Sequence, residues 1–174
     1  KVASVIGRLF QVAMLWGVHQ AYTDRADLQR QLDLLEQHDL TTLDSPEPEL
    51  AYLFKHVLTQ EVAYETLAFA TRSVLHEQIA SYIETFRAAQ IEQHLDLLAH
   101  HYDRTDNVAK RREYLGRAGI AAQAAFANVA ALDYFGRWLE LEVDAERVPV
   151  LLRLAAVLDT VGDWDRAEAM ATEA

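Results

Sequence analysis

His94, His100 and His101 crowd one short stretch, with Asp96 and Asp103 beside them. Imidazole and carboxylate are the donors a zinc ion takes up, in sets of three or four that converge on one point. His94 and His101 are seven residues apart and share one face of a helix, but two turns separate them. They cannot hold one ion without further partners, so the spacing speaks against a metal centre. His76-Glu77 begins an H-E-x-x-H pattern, yet Ala80 stands where the second histidine is needed. Glu61 and Glu65 also share a helix face; paired carboxylates can do acid–base chemistry, but such pairs are common on solvated helices. No nucleophile elbow, no G-x-x-x-x-G-K-[ST] loop and no G-x-G-x-x-G turn is present. The chain is therefore expected neither to catalyse a reaction alone nor to bind ATP tightly, and no cofactor or metal is expected in it.

In LAYLFKHVLTQEVAYETL, Leu50 to Leu67, the pattern changes midway. Lys55 and His56 follow an alternating apolar run and precede a helical pattern. A histidine at such a junction satisfies neighbouring backbone groups through its ring nitrogens, and Lys55 reads as a solvated flank. Gln60, Glu61 and Tyr64 read as the start of a packed helix, with Glu61 suited to the positive end of the helix dipole.

The elements that must position these residues are mainly helical. Only six glycines and three prolines interrupt 174 residues. RLFQVAMLWGVHQ, residues 8–20, reads as a helix with Leu9, Val12, Met14, Leu15 and Val18 apolar. TDRADLQRQLDLLEQHDL, residues 23–40, reads as a second, with Asp24 as N-cap and Leu28, Leu32 and Leu35 as its apolar stripe. LTTLDSPEPELAYLF then changes period: a proline-rich turn, SPEPE, joins two short extended runs, and the spacing predicts a β-hairpin over about 40–54. Two helices and a small hairpin are the order of a winged helix. Beyond it a helix is predicted from about Leu58 to Arg87, with Tyr64, Leu67, Ala68, Thr71, Leu75 and Ile79 along one side and a break at RAAQ. Another covers IEQHLDLLAHHY and ends at the polar DRTDN. Alanine-rich helices are predicted over 108–126, 129–143, 150–161 and from Trp164 onward.

The last 24 residues, LLRLAAVLDTVGDWDRAEAMATEA, carry a tetratricopeptide pattern. Leu151, Leu154, Ala155 and Leu158 fall on a first helix, Gly162 at the turn, and Trp164, Ala167, Ala171 and Ala174 on a second. Small residues let paired helices approach, and glycine permits the tight turn. A weaker copy lies 36 residues earlier: Leu115, Ala118, Gly119 and Ala122, then Ala131, Phe135 and Trp138, with Phe126 where the turn glycine belongs. One repeat cannot bury its own apolar face, so further repeats are expected past Ala174. Both ends of the chain fall inside apolar patterns, and the chain reads as a segment of a longer one.

Composition narrows the partners. A net charge of −11 disfavours general nucleic-acid binding. The one basic cluster, Lys110-Arg111-Arg112, sits in a helical pattern and reads as a solvated face. The second helix, which would read DNA in a winged helix, carries Asp24, Asp27, Asp33, Glu36 and Asp39 against Arg25 and Arg30. There is no cysteine, no run of about 18 apolar residues and no signal peptide, so a cytoplasmic location with no membrane contact is expected.

ASVIGRLF, YLFKHVLTQEVAYETL, RSVLHEQIA, LAHHYDRTDN and YLGRAGIAAQAAFANVAALDYFGRWLEL follow in an order that resembles one family. It is the segment after the ATPase module in bacterial signal-transducing ATPases with numerous domains (STAND), related to AAA-type ATPases. Such ATPases often carry a class III adenylate/guanylate cyclase domain. The aromatic-Lys-His-x-Leu-x-Gln-Glu-x-x-Tyr motif, Phe54 to Tyr64, is its most specific part. The resemblance implies a winged-helix-like module over 1–57, a helical linker over 58–106 and tetratricopeptide-like repeats over 107–174. It implies an upstream nucleotide-binding domain in cis, with ATP or ADP and magnesium held by the parent protein. It implies that His56, flanked by Lys55, meets the β-phosphate of bound ADP and holds the resting state. His100, His101 and Tyr102 would belong to a helix-packing motif, and the repeats would bind a protein or peptide partner. The expected function is thus a non-catalytic regulatory segment of a signalling ATPase. A stand-alone repeat adaptor for a peptide partner is the alternative, and a segment of a transcriptional regulator a third reading.

Overall fold

A computed structural model describes residues 1–18, 24–46 and 48–174. His19 and Gln20 of the first expected helix, Thr23 of the second and Glu47 of the proline-rich turn lie outside the described residues. The fold is mainly α, with one three-stranded antiparallel sheet. The chain forms two compact units, Lys1–Ile91 and Glu92–Ala174. No described helix is long and apolar enough to cross a membrane.

In the first unit the helices are α1 (Val2–Ile6), α2 (Val12–Val18), α3 (Arg25–Gln37), α4 (Val57–Glu65) and α5 (Phe69–Phe86), and the strands are β1 (Leu9–Gln11), β2 (Thr41–Ser45) and β3 (Ala51–Phe54). Asp24 caps α3 as expected, its carboxylate accepting from the Ala26 N–H at 3.1 Å. The hairpin of β2 and β3 forms where the period changes, with Thr41 opposite Phe54 and a register shift between Leu43 and Ser45.

The structure departs from two expectations. Residues 8–20 are not one helix: Leu9–Gln11 is a third strand, on the open edge of β3, pairing Phe10 with Tyr52. The sheet order is β1-β3-β2, so β3 is central. The buried residues Phe10, Met14, Leu15 and Val18 mimic a helical stripe, but Phe10 reaches the core from a strand. It stacks on Tyr52 at 6.2 Å and meets Phe54 at 5.4 Å, in a cluster with Ala3, Leu15, Leu28 and Leu32. This sheet pairing overrides the local period. The second correction is at 66–68, where the predicted helix 58–87 divides into α4 and α5. The Thr66 hydroxyl donates back to the Ala63 carbonyl at 2.8 Å, and Ala68 is extended at ψ 146°. Hydroxyl back-bonding of this kind competes with helix continuation.

In the second unit, α6 (Leu95–Tyr102), α7 (Val108–Ala124), α8 (Asn128–Leu139), α9 (Arg147–Val161) and α10 (Trp164–Glu173) follow one another, each packed on the next in the run from α6 to α10. Ala131 and Phe135 of α8 meet Val150, Leu154 and Val157 of α9. α6 ends at the polar stretch after Tyr102, as read from DRTDN.

The 36-residue recurrence is visible in the turns. At the end of α7 the Phe126 N–H donates to the Gln123 carbonyl at 3.1 Å and the Ala127 N–H to the Ala122 carbonyl at 2.9 Å. At the end of α9, 36 residues on, the Gly162 N–H donates to the Asp159 carbonyl at 3.1 Å and the Asp163 N–H to the Leu158 carbonyl at 2.9 Å. Both are Schellman closures, which need a left-handed residue after the helix. Gly162 supplies it at φ 81° and Phe126 at φ 58°.

Candidate functional site

The junction of β3 and α4 holds Lys55 and His56. Its frame begins at the end of α3, where a third Schellman turn places Asp39 at φ 60°. Aspartate tolerates that region better than most side chains. The chain then enters β2, and the Lys55 N–H donates to the Leu40 carbonyl at 3.1 Å. This brings Lys55 Nζ onto the Asp39 carboxylate. The hydrogen bond and charge of Lys55, with a smaller push from His56, hold the Asp39 carboxyl below the usual carboxylate range. Behind the junction the Phe54 N–H donates to the Arg8 carbonyl at 2.9 Å, and Arg8 Nε returns a bond to the Phe54 carbonyl at 3.3 Å.

His56 is the N-cap residue of α4, extended at φ −118° and ψ 132°. Its carbonyl accepts from the Thr59 and Gln60 N–H groups, which opens the helix. Its ring is exposed and makes no side-chain cap bond. The local backbone role open to a histidine at this position is therefore filled by its carbonyl, not by its ring nitrogens.

α4 itself buries no residue. The packed helix start expected at Gln60 and Tyr64 is instead a tethered helix. Gln60 Nε2 donates to the Ser4 carbonyl of α1 at 2.7 Å. The Tyr64 hydroxyl is 3.0 Å from Nε2 of His76 in α5, and the Arg72 guanidinium lies 4.9 Å over the Tyr64 ring. The outer side of α4 presents Val57, Leu58 and Val62, all at least half exposed. An apolar helix face thus begins one residue after His56.

The remaining described histidines do not converge on one point. His76 is buried against Tyr64, His94 is the N-cap residue of α6 with no side-chain cap bond, His100 is partly covered beside Arg104 but keeps an exposed edge, and His101 is buried. Among the described residues no group of three or more His, Asp or Glu side chains could hold one metal ion. Partial burial, then Arg104 and Arg137, lower the His100 pKa against the opposing pull of Asp103.

Of the repeat residues, Leu151, Leu154 and Leu158 are buried in α9 and Ala155 is half-buried. Gly162 makes the turn. On α10, Ala167 is half-buried, while Trp164, Ala171 and Ala174 are exposed.

Sequence reasoning missed two residues. Asp39 fixes Lys55, and its signal was an acidic residue just past a helix end. Glu142 is 5% exposed and takes Arg112 Nε at 2.8 Å and Trp138 Nε1 at 2.5 Å, joining α7, α8 and the loop after α8. No local pattern marks it, because its partners lie on two other elements.

Compared with known proteins, the chain matches no family, no curated sequence and no solved structure.

Proposed function

We propose that this chain is the regulatory segment of a multidomain signal-transducing ATPase of the STAND type, a winged-helix-like module followed by tetratricopeptide-like repeats. It performs no chemistry itself. An upstream nucleotide-binding domain of the same protein holds ATP or ADP with magnesium, and this segment reads which nucleotide is present. The repeats engage a protein or peptide partner. Where the parent carries a class III cyclase domain, the output is a cyclic nucleotide.

The observation that carries the reading is His56. Its ring is exposed, does no capping, and stands at the rim of an apolar surface formed by Val57, Leu58 and Val62. An imidazole beside a ready docking face is what a residue needs to reach a phosphate on a neighbouring domain. Lys55 beside it pairs with Asp39 in an exposed ion pair, which makes it the lesser contact in this reading. The order of helices and hairpin in the first unit and the 36-residue recurrence in the second support the two-part layout.

The test is the release rate of a fluorescent ADP analogue from the full-length parent protein. His56→Ala should speed release about tenfold, the loss of one charge-assisted contact worth about 1.5 kcal/mol, and raise basal signalling. An unchanged release rate would remove His56 from nucleotide reading. Lys55→Ala should leave the rate within about twofold.

A further inference from the structure

Within Glu92–Ala174, a groove of about 260 Å³ opens where α6, α7 and α8 meet. Its floor is methyl groups: Ala122, Ala125 and Ala130 line it, so a foreign backbone can come close. Glu92, Asp96 and Tyr134 also line it. Both charged side chains of the lining are acidic. Glu92 takes Arg117 Nη2 at 2.6 Å, whereas Asp96 makes no ion pair among the described residues and receives only the Tyr134 hydroxyl at 3.3 Å. That is a long bond for two oxygens, so Asp96 keeps most of its acceptor capacity.

The chain flanks this floor with Phe126 and Val129, 78% and 86% exposed. Phe126 pays for its place: a side chain at left-handed φ costs about 1–2 kcal/mol relative to glycine. The identical turn 36 residues on uses Gly162. Burial does not offset the strain at Phe126, since the ring faces solvent. A strained, exposed aromatic ring beside a lined groove points to a role outside folding.

We infer that this groove binds an extended segment of a partner protein bearing Lys or Arg next to a large apolar side chain. The cation meets Asp96, the backbone lies over the alanines, and the apolar side chain packs on Phe126. Charge decides the occupant: a second copy of this chain, net −11, would bring like charge to an acidic lining. The inference deepens the partner-binding half of the proposed function and rests on that half alone.

A phage-displayed library of random dodecapeptides, panned on the 174-residue chain, tests it. Enriched peptides should pair a basic residue with an aromatic or aliphatic one. Made synthetically, they should lose about tenfold in affinity for Asp96→Lys, the size of one opposed charge pair. Phe126→Gly relieves strain rather than unfolding the turn, so a loss of about fivefold there reports the missing ring and not a damaged fold. Amide shifts on peptide titration should gather over 121–130. Failure to enrich, enrichment of acidic peptides, shifts gathered elsewhere, or equal affinity for Asp96→Lys would each overturn the inference. So would self-association of the chain mapped to this groove. Peptide affinity unchanged by His56→Ala keeps this result separate from nucleotide reading, and a failed groove leaves the ADP release test standing.

Discussion

Phe126 and Gly162 close the same turn with unlike side chains, which makes Phe126 a direct probe of strain. Phe126→Gly removes about 1–2 kcal/mol of left-handed strain and adds about 0.5–1 kcal/mol of unfolded-chain entropy. The net gain should be about 0.5–1 kcal/mol, read as a rise in Tm of about 2–3 °C. Phe126→Ala keeps the strain and should show no rise. If the groove reading is right, the stabilised variant is also the weaker binder, the usual exchange between stability and function. His100 contributes to the pH response. Its folded pKa is lowered, so its unfolded form takes a proton first as pH falls below about 6.5. The stability it contributes is present above that value and is lost as pH drops toward the folded pKa. Urea midpoints at pH 7.5 and 5.5 should therefore differ less in His100→Gln than in the wild type.

At the scale of elements, two glycines in neighbouring helices separate packing from propensity. A Cβ on Gly119 of α7 would stand 2.5 Å from Cε1 of Phe135, a fully buried ring that has no room to yield. A Cβ on Gly136 of α8 would meet nothing within 4 Å. Gly119→Ala should destabilise by about 1–2 kcal/mol through overpacking. Gly136→Ala should stabilise by about 0.5–1 kcal/mol through helix propensity. Denaturant titration of both variants checks the opposite signs. The same contrast explains what the residues disclosed in advance. The α7 to α10 helices were legible because alanine-rich runs, Gly162 and the 36-residue spacing act locally. The hairpin was legible from its prolines and its period of two. β1 was not, because Phe10 belongs to a strand only through Tyr52, which is 42 residues away. The break before α5 was not, because no glycine or proline marks it and a threonine side chain makes it. For the site, the junction of Lys55 and His56 could be read, but the Asp39 contact with Lys55 required the fold.

At the scale of the whole molecule, each unit has its own core: Phe10, Tyr52 and Phe54 with α1 to α3 in one, Ala131, Phe135 and Leu154 in the other. The second unit is built almost wholly from contacts between successive helices. Such arrays gain stability from nearest neighbours. Residues 92–174 expressed alone should therefore give a helical circular-dichroism spectrum and a cooperative melt; a spectrum without helix would show that this core needs more than its own residues.

Because the paired Schellman turns repeat bond for bond at an interval of 36 residues, the interval works as a joint of fixed gauge. A duplication or excision of that length meets the same hydrogen-bond partners on both sides of the cut. The backbone closure at each seam would therefore survive a change of length by one whole unit. A gene could lengthen or shorten this part of the chain by recombination without inventing a new turn.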